Sequence, residues 1–269
     1  MKELLKNFYN IIVNEYYEVL EGYILYEGDN IYYLYKLDEE CNIELVKEIY
    51  NYIKDNNVIK LHSIIYNIFN DYISDGYVLM KVNRLICDIN YDDVTLFNNI
   101  NMNYLSNYYI DIRTYWINKI DKIEKEIINY NDDIRYDFYY YMGIIERLIS
   151  YIELIDISKL ELVLSHKKRY NNTIDYYNPF NLCVDLKYRD LIYYLLNNDI
   201  VYKLWNYIGY INSYERKYIL FSLLIPYDYF SNMNRYISNI NEYEEYVLDV
   251  LEILGYKKEV IKYQKEEVC

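Results

Sequence analysis

Two short runs of aromatic and β-branched residues follow a helical opening and predict a β-hairpin. The runs are residues 22–26 and 31–36, and a turn at Gly28, Asp29 and Asn30 separates them. Aromatic and β-branched residues favour strands, and a Gly-Asp-Asn turn between two such runs is typical of a hairpin. We therefore predict that the first two strands of the chain pair with each other.

An amphipathic helix and two more strand-like runs come next. Apolar residues recur at helical spacing behind Asn42, a favourable N-cap, and the helical run ends at residues 55–57. The apolar members of this run are Ile43, Val46, Ile49, Tyr50 and Ile53. Residues 58–68 and 72–82 have the composition of strands. The predicted order is strand, strand, helix, strand, strand.

Beyond about residue 100 the apolar residues repeat every three or four positions, which predicts helices. One stripe runs from Leu105 to Ile127, and a second opens near Asp132 and continues to Ile152. Residues 213–224 and 241–254 predict two further helices. A coiled-coil partner site is the functional alternative for the two stripes, but neighbouring helices more often bury such faces against each other. We therefore expect these stripes to form an internal core.

The expected fold is α+β with two lobes. Residues 1–85 form a small N-terminal lobe with an antiparallel sheet and one helix, and residues 86–269 form a larger, mainly helical lobe. Only six Gly and two Pro punctuate the chain, so no flexible linker separates independent domains.

Composition and charge exclude several classes of function. The formal net charge of −14 disfavours binding to nucleic acid or to anionic membranes. The four cysteines are far apart and have no zinc-site spacing, so free, reduced thiols are expected. The N-terminus carries charges where a signal peptide is apolar, and no stretch has the length of a membrane span. These features predict a cytoplasmic protein without membrane insertion.

One segment, residues 162–191, concentrates the residues from which a catalytic site could be built. An apolar strand ends in His166 and leads into the loop Lys167-Lys168-Arg169. A second short strand ends in Asp185, and Asp190 opens a helix. A carboxylate that closes a buried strand is costly unless a cation or hydrogen-bond donors lie nearby, which makes Asp185 the best single candidate for a functional residue.

This layout resembles the catalytic segment of the aminoglycoside phosphotransferase, choline kinase and spore-coat kinase-like proteins, which share the protein-kinase fold. The resemblance places His166 at the histidine of the catalytic loop, Asp185 at the aspartate that binds magnesium, and Asp190 at the aspartate that braces the loop. It implies ATP and magnesium as the ligands of an active member. Its motifs are degenerate, and their order along the chain carries most of the weight.

The catalytic loop departs from the pattern of that group at the residues that do the chemistry. Lys168 stands where the group has the aspartate that acts as base, and an ammonium cannot accept the proton. Thr173 stands where the second metal ligand is expected, with Asn171 and Asn172 only nearby. The hairpin turn holds Gly28 alone, so no glycine-rich loop can enclose phosphates through its backbone amides.

The N-terminal part supports the same architecture. Lys36 ends the second strand, as does the lysine that pairs with phosphates in the resembled group, and Glu44 or Glu48 on the next helix could be its partner.

Each of these candidate residues also has a simple structural interpretation. Lys36 at a strand end can be a solvated side chain, and His62 and His166 can be buried, hydrogen-bonded histidines.

The sequence therefore predicts a kinase-like protein whose catalytic loop has eroded, a pseudokinase-type protein that binds a protein partner or small molecule and could retain a nucleotide. Two alternatives stay open. One is an active ATP-dependent phosphotransferase for small molecules, with Asp175 as an atypical base. The other is an interaction module unrelated to kinases.

Overall fold

The chain forms two compact units. The computed structural model describes residues 1–19, 21–38, 41–83, 89–109, 111–128, 132–152, 155–167, 173–198, 203 and 211–225. The first unit consists of residues 1–94 and 164–184, and the second consists of residues 95–163 and 185–269. Residues 164–184, which the sequence assigned to the larger lobe, thus belong to the first unit.

Most strands form one antiparallel sheet with the order β1-β2-β3-β6-β4, in which β5 pairs with β6. The remaining two strands, β7 and β8, pair with each other. The strands are β1 (Glu15–Val19), β2 (Gly22–Glu27), β3 (Asn30–Lys36), β4 (Ser63–Ile65), β5 (Ile73–Ser74), β6 (Tyr77–Lys81), β7 (Leu162–His166) and β8 (Leu182–Leu186).

The two longest described helices follow the large sheet in the chain. The described α-helices are α1 (Lys2–Leu4), α2 (Ile43–Asn56), α3 (Tyr91–Asn98), α4 (Ile112–Ile127), α5 (Asp132–Ile152), α6 (Thr173–Tyr176), α7 (Arg189–Asn197) and α8 (Ser213–Leu224). A π-helical turn, Leu5–Tyr9, extends α1, and 3-10 turns lie at Asn103–Tyr108, Ile157–Lys159 and Pro179–Asn181. No helix among these is long and apolar enough to cross a membrane.

Local sequence signals account for the confirmed elements. The predicted hairpin is β2–β3, with Gly28 at a φ of 57° in its turn. Helix α2 begins behind Asn42, whose side chain accepts a hydrogen bond from the backbone nitrogen of Leu45 at 3.1 Å. Its end is capped by Asn57 in the left-handed conformation. The predicted helix at 241–254 lies outside the described residues.

Three boundaries differ from the sequence prediction. The helical opening ends at Tyr9, and β1 follows as an additional edge strand whose glutamates and tyrosines are mostly exposed. The first helical stripe starts in a 3-10 turn, so α4 begins only at Ile112. The run at 58–68 contains just the three residues of β4.

Both faces of the large sheet are covered. On one face, which we call the α2 face, Tyr33, Tyr35, Val78 and Met80 pack with Val46 of α2. Ile174 and Phe180, from the segment between β7 and β8, complete this buried cluster. This packing explains why residues 164–184 join the first unit.

The opposite face, the N-terminal face, is covered by the first residues of the chain. Leu5, Tyr9 and Val13 pack there with Leu34 and three other buried residues of the sheet, which are Leu25, Tyr32 and Leu79. Because successive side chains of a strand point to opposite faces, alternate residues of β3 belong to the buried clusters on the two faces. The sheet is therefore the middle layer of the first unit.

The second unit is built from helices. Helices α4 and α5 pack against each other, and α8 packs against both α5 and α7. Trp116, Phe138, Tyr141 and Tyr218 are buried in these helices. The two predicted stripes thus face an internal core.

We predict that Gly22→Ala strongly destabilises the protein. Gly22 has a φ of 150°, and a Cβ atom there would lie 2.0 Å from the backbone oxygen of Leu34. Relieving this clash requires separating β2 from β3, so we expect a loss of about 3 kcal/mol or more in the free energy of unfolding, measured by urea denaturation.

Gly143→Ala is the matched control. Gly143 lies inside α5, and a Cβ atom there would have no neighbour within 4 Å. Alanine favours a helix interior over glycine by about 1 kcal/mol, so this variant should be more stable than the parent protein. Equal stability of the two variants would contradict the close approach at Gly22.

Candidate functional site

His166 ends β7, as predicted, and is fixed inside the first unit. It is 2% exposed. Its Nε2 donates a hydrogen bond to the carbonyl oxygen of Tyr176 at 2.9 Å, and its ring stacks on that of Tyr176 with 4.4 Å between centroids. These contacts bind the end of β7 to α6. The histidine therefore positions the described residues 173–181, which we call the loop segment.

His62 holds the same segment from the side of the sheet. Its backbone nitrogen donates to the carbonyl oxygen of Tyr177 at 3.0 Å, and its Nε2 donates to the carbonyl oxygen of Ile174 at 3.1 Å. Its Nδ1 accepts a hydrogen bond from the backbone nitrogen of Asn83 at 3.3 Å. This arrangement requires a neutral ring, and burial lowers the pKa of His62 to about 4.

Two buried tyrosines of β3 occupy the α2 face where the loop segment packs. Tyr33 and Tyr35 are 1% and 4% exposed, and the ring of Tyr35 stacks on Phe180 with 6.1 Å between centroids. The phenol of Tyr33 is hydrogen-bonded to the carboxylate of Asp175, and that of Tyr35 to Glu21. Burial, more than these carboxylates, raises the pKa of both phenols, so both remain protonated donors.

Lys167 connects the end of β7 to the 3-10 turn Pro179–Asn181. Its backbone nitrogen donates to the carbonyl oxygen of Asn181 at 2.7 Å, and its Nζ donates to the carbonyl oxygen of Phe180 at 3.1 Å. Asn178 and Asn181 are buried polar residues of the same turn, and the side chain of Asn178 accepts from the backbone nitrogen of Phe180. Many of the hydrogen bonds of this segment are therefore made with backbone groups.

The three residues predicted for phosphate pairing are all exposed. Lys36 is on the N-terminal face of β3, because it alternates with Tyr35, and it lies opposite Tyr77 of β6. Glu44 and Glu48 are exposed on α2. Among the described residues no ion pair joins Lys36 to either glutamate. The sheet therefore does not bring Lys36 to the face that α2 covers.

Asp185 lies within β8 and belongs to the second unit. One carboxylate oxygen, Oδ1, accepts from the backbone nitrogen of Leu186 at 2.7 Å, and the other, Oδ2, is paired with Nη1 of Arg189. Burial raises the pKa of Asp185 above its ordinary value, although Arg189 opposes this shift. Asp190, which is also buried, lies in the first turn of α7, and its charge further raises the pKa of Asp185.

The magnesium ion that the sequence resemblance implies does not fit this arrangement. Oδ2 of Asp185 is paired with the Arg189 guanidinium, so a magnesium ion at this oxygen would lie beside a second cation, and Oδ1 already accepts a hydrogen bond from the Leu186 amide. Thr173, at the expected second ligand position, is buried. The described part of the chain contains no group of three side chains that could hold a metal. Lys168, Asn171 and Asn172 lie outside the described residues.

Sequence reasoning missed Tyr33, Tyr35 and Arg189. Strand alternation shows that Tyr33 and Tyr35 share one face of β3 and that Lys36 lies on the other, but it does not show which face α2 covers. The four-residue spacing between Asp185 and Arg189 is visible in the sequence, but it spans a strand end and a turn, where such spacing does not by itself predict contact.

Comparison with solved structures finds the same architecture in two kinds of phosphotransferase. Spectinomycin phosphotransferase APH(9)-Ia in complex with ADP and spectinomycin superposes with a TM-score of 0.54 and 16% identity, covering 94% of this chain and 96% of that one. The AMP-bound complex of the same enzyme superposes with a TM-score of 0.53 and 14% identity, covering 96% of this chain and 98% of that one. Choline kinase LicA from Streptococcus pneumoniae superposes with a TM-score of 0.54 and 10% identity, covering 94% of this chain and 97% of that one.

The chain has the kinase-like fold of these phosphotransferases. The predicted α+β, two-lobed class is thereby confirmed. No protein-family profile matches the sequence, and no curated protein is significantly similar to it. At these identities the likeness concerns the fold.

We predict that acid weakens the protein through His62. Its pKa is about 4 in the folded protein against an ordinary value of 6.5, so the unfolded chain gains a proton first as pH falls. The contribution of neutral His62 to the free energy of unfolding is fully present above pH 6.5. It is lost as the pH falls from 6.5 to 4, by about 3 kcal/mol in total. Urea denaturation at pH 7.5, 5.5 and 4.5 measures this loss.

His62→Gln supplies the comparison for this titration. Glutamine has an amide that can still donate and accept but does not titrate in this range. The variant should be less stable at pH 7.5 and should lose less stability than the parent between pH 6.5 and 4. Parallel curves for the two proteins would show that another group is responsible.

Proposed function

We propose that this chain is a pseudokinase-type binding protein, with a kinase-like fold and without phosphoryl transfer. The observation that carries the proposal is the composition of the α2 face. Phosphoryl transfer depends on positioned cations that neutralise phosphate charge, and in kinases one of them is a lysine on this strand paired with a glutamate of the helix. Here the residues of β3 with that orientation are Tyr33 and Tyr35.

The surroundings of the two tyrosines support this proposal. Their phenols donate to Asp175 and Glu21, so the polar groups on this face are hydroxyls and carboxylates. Two carboxylates beside the phenols disfavour a triphosphate there. Nζ of Lys167, a cation of the neighbouring segment, is hydrogen-bonded to the carbonyl oxygen of Phe180. Ile174 and Phe180 further bury the face with apolar side chains. Lys168, in place of the catalytic base, agrees with the loss of transfer.

A second candidate, an active phosphotransferase with Asp175 as the base, is favoured by one observation. Asp175 is only half-buried and has a carboxylate within the loop segment that follows β7. Its carboxylate already accepts a hydrogen bond from the buried phenol of Tyr33. The pseudokinase-type proposal is therefore preferred.

We predict no magnesium-dependent transfer from ATP to a small-molecule hydroxyl. Spectinomycin and choline are the acceptors to test, because the similar structures are those of a spectinomycin phosphotransferase and a choline kinase. ADP release in the presence of Mg²⁺ and each acceptor should not exceed that of the Asp175→Asn and Asp185→Asn variants. Turnover that either substitution abolishes would overturn the proposal.

Adenine nucleotide is the first ligand to test for binding, since the similar spectinomycin phosphotransferase holds ADP or AMP. If a nucleotide is retained, ADP or AMP should raise the melting temperature by several degrees at saturating concentration, as expected for binding to the native state only. Lys36→Ala should leave both this shift and the stability unchanged, because Lys36 is exposed on the N-terminal face. A loss of the shift in this variant would restore the sequence-based role of Lys36.

A further inference from the structure

The position of Arg189 is unfavourable unless it has a specific partner. Arg189 is the first residue of α7, where the helix dipole favours anions and disfavours cations. Its guanidinium is nevertheless mostly buried and is ion-paired with Asp185, four residues earlier. The carboxylate is even less exposed than the guanidinium. The pair therefore offsets both the dipole and the cost of desolvating two charges.

A second carboxylate acts on the pair. Asp190 raises the pKa of Asp185, and Asp185 in turn raises the pKa of the Tyr109 phenol, on which Arg113 has the opposite effect. Without the guanidinium, the same two carboxylates would be repulsive and would favour a divalent cation.

We propose that Arg189 is a built-in cation that takes the place of a divalent metal at Asp185. This inference rests on the proposed function, and it takes from the sequence resemblance the position of Asp185 as the metal-binding aspartate. The guanidinium is bonded to Oδ2 and the Leu186 amide to Oδ1, so a metal at Oδ2 would have to displace Arg189. Displacement would break the ion pair of a largely buried arginine side chain, which is unfavourable.

Metal binding to variants at Arg189 tests the inference directly. Mn²⁺ is the probe, because it takes the same oxygen ligands as Mg²⁺ and its free concentration can be read by electron paramagnetic resonance. The parent protein should not bind Mn²⁺ more tightly than Asp185→Asn does. Arg189→Gln should bind it at least about tenfold more tightly than the parent, because a cation adjacent to the site has been removed. Arg189→Gln combined with Asp185→Asn should lose this gain.

Lys187→Gln is the matched control. It removes one positive charge from the same turn, but Lys187 is paired with Glu161 at 2.6 Å. This variant should keep the weak Mn²⁺ binding of the parent. A gain equal to that of Arg189→Gln would overturn the inference, since it would reflect net charge alone.

A melting experiment keeps the inference testable if Arg189→Gln folds poorly. Mn²⁺ should raise the melting temperature of this variant, or recover its folding when present during refolding, and should leave the parent protein unchanged. Failure of Mn²⁺ to do either overturns the inference, as does tight binding of Mn²⁺ to the parent. The proposed function fails separately, through measured transfer from ATP. Mn²⁺ binding by the parent without transfer would therefore reject only the role of Arg189.

Discussion

The alternation of side chains along β3 determines what the first unit can do. Successive residues of a strand face opposite sides of the sheet, so α2 and the N-terminal residues each cover one set. Tyr33 and Tyr35 face α2, while Lys36 at the end of the strand belongs to the other set. A displacement of one residue in register would exchange the two sets and would place Leu34 and Lys36 beneath α2. The burial of both faces is what fixes the register.

The elements that the sequence predicted correctly are those with local signals. The β2–β3 hairpin follows from a glycine in a positive-φ turn, and α2 follows from the Asn42 cap and a regular apolar stripe. Strand β7 was recognisable as an apolar run ending in His166, and all five of its residues are buried. Strand β1 was missed because an edge strand with exposed glutamates and tyrosines lacks the alternation of a half-buried strand.

The candidate site was less predictable, because its contacts depend on tertiary packing. The order of His166, Asp185 and Asp190 was visible in the sequence, but the face on which Lys36 lies depends on which layer covers each side of β3. Arg189 reaches Asp185 because the intervening turn contains Tyr188 at a φ of 76°, a conformation uncommon for a residue with a side chain. Asn98 accepts the hydrogen bond of the Tyr188 backbone nitrogen at 2.6 Å, a contact across 90 positions of the chain.

The layer formed by the first thirteen residues has a practical consequence for handling the protein. In many proteins the first residues can be trimmed or replaced without harm, but here Leu5, Tyr9 and Val13 belong to the core. A chain that started at β1 would expose Leu25, Leu34 and Leu79 on one continuous side of the sheet. Such an apolar surface promotes aggregation. Fusion partners are therefore better separated from Met1 by a flexible spacer, and failed expression of a shortened chain would say nothing about its ligand.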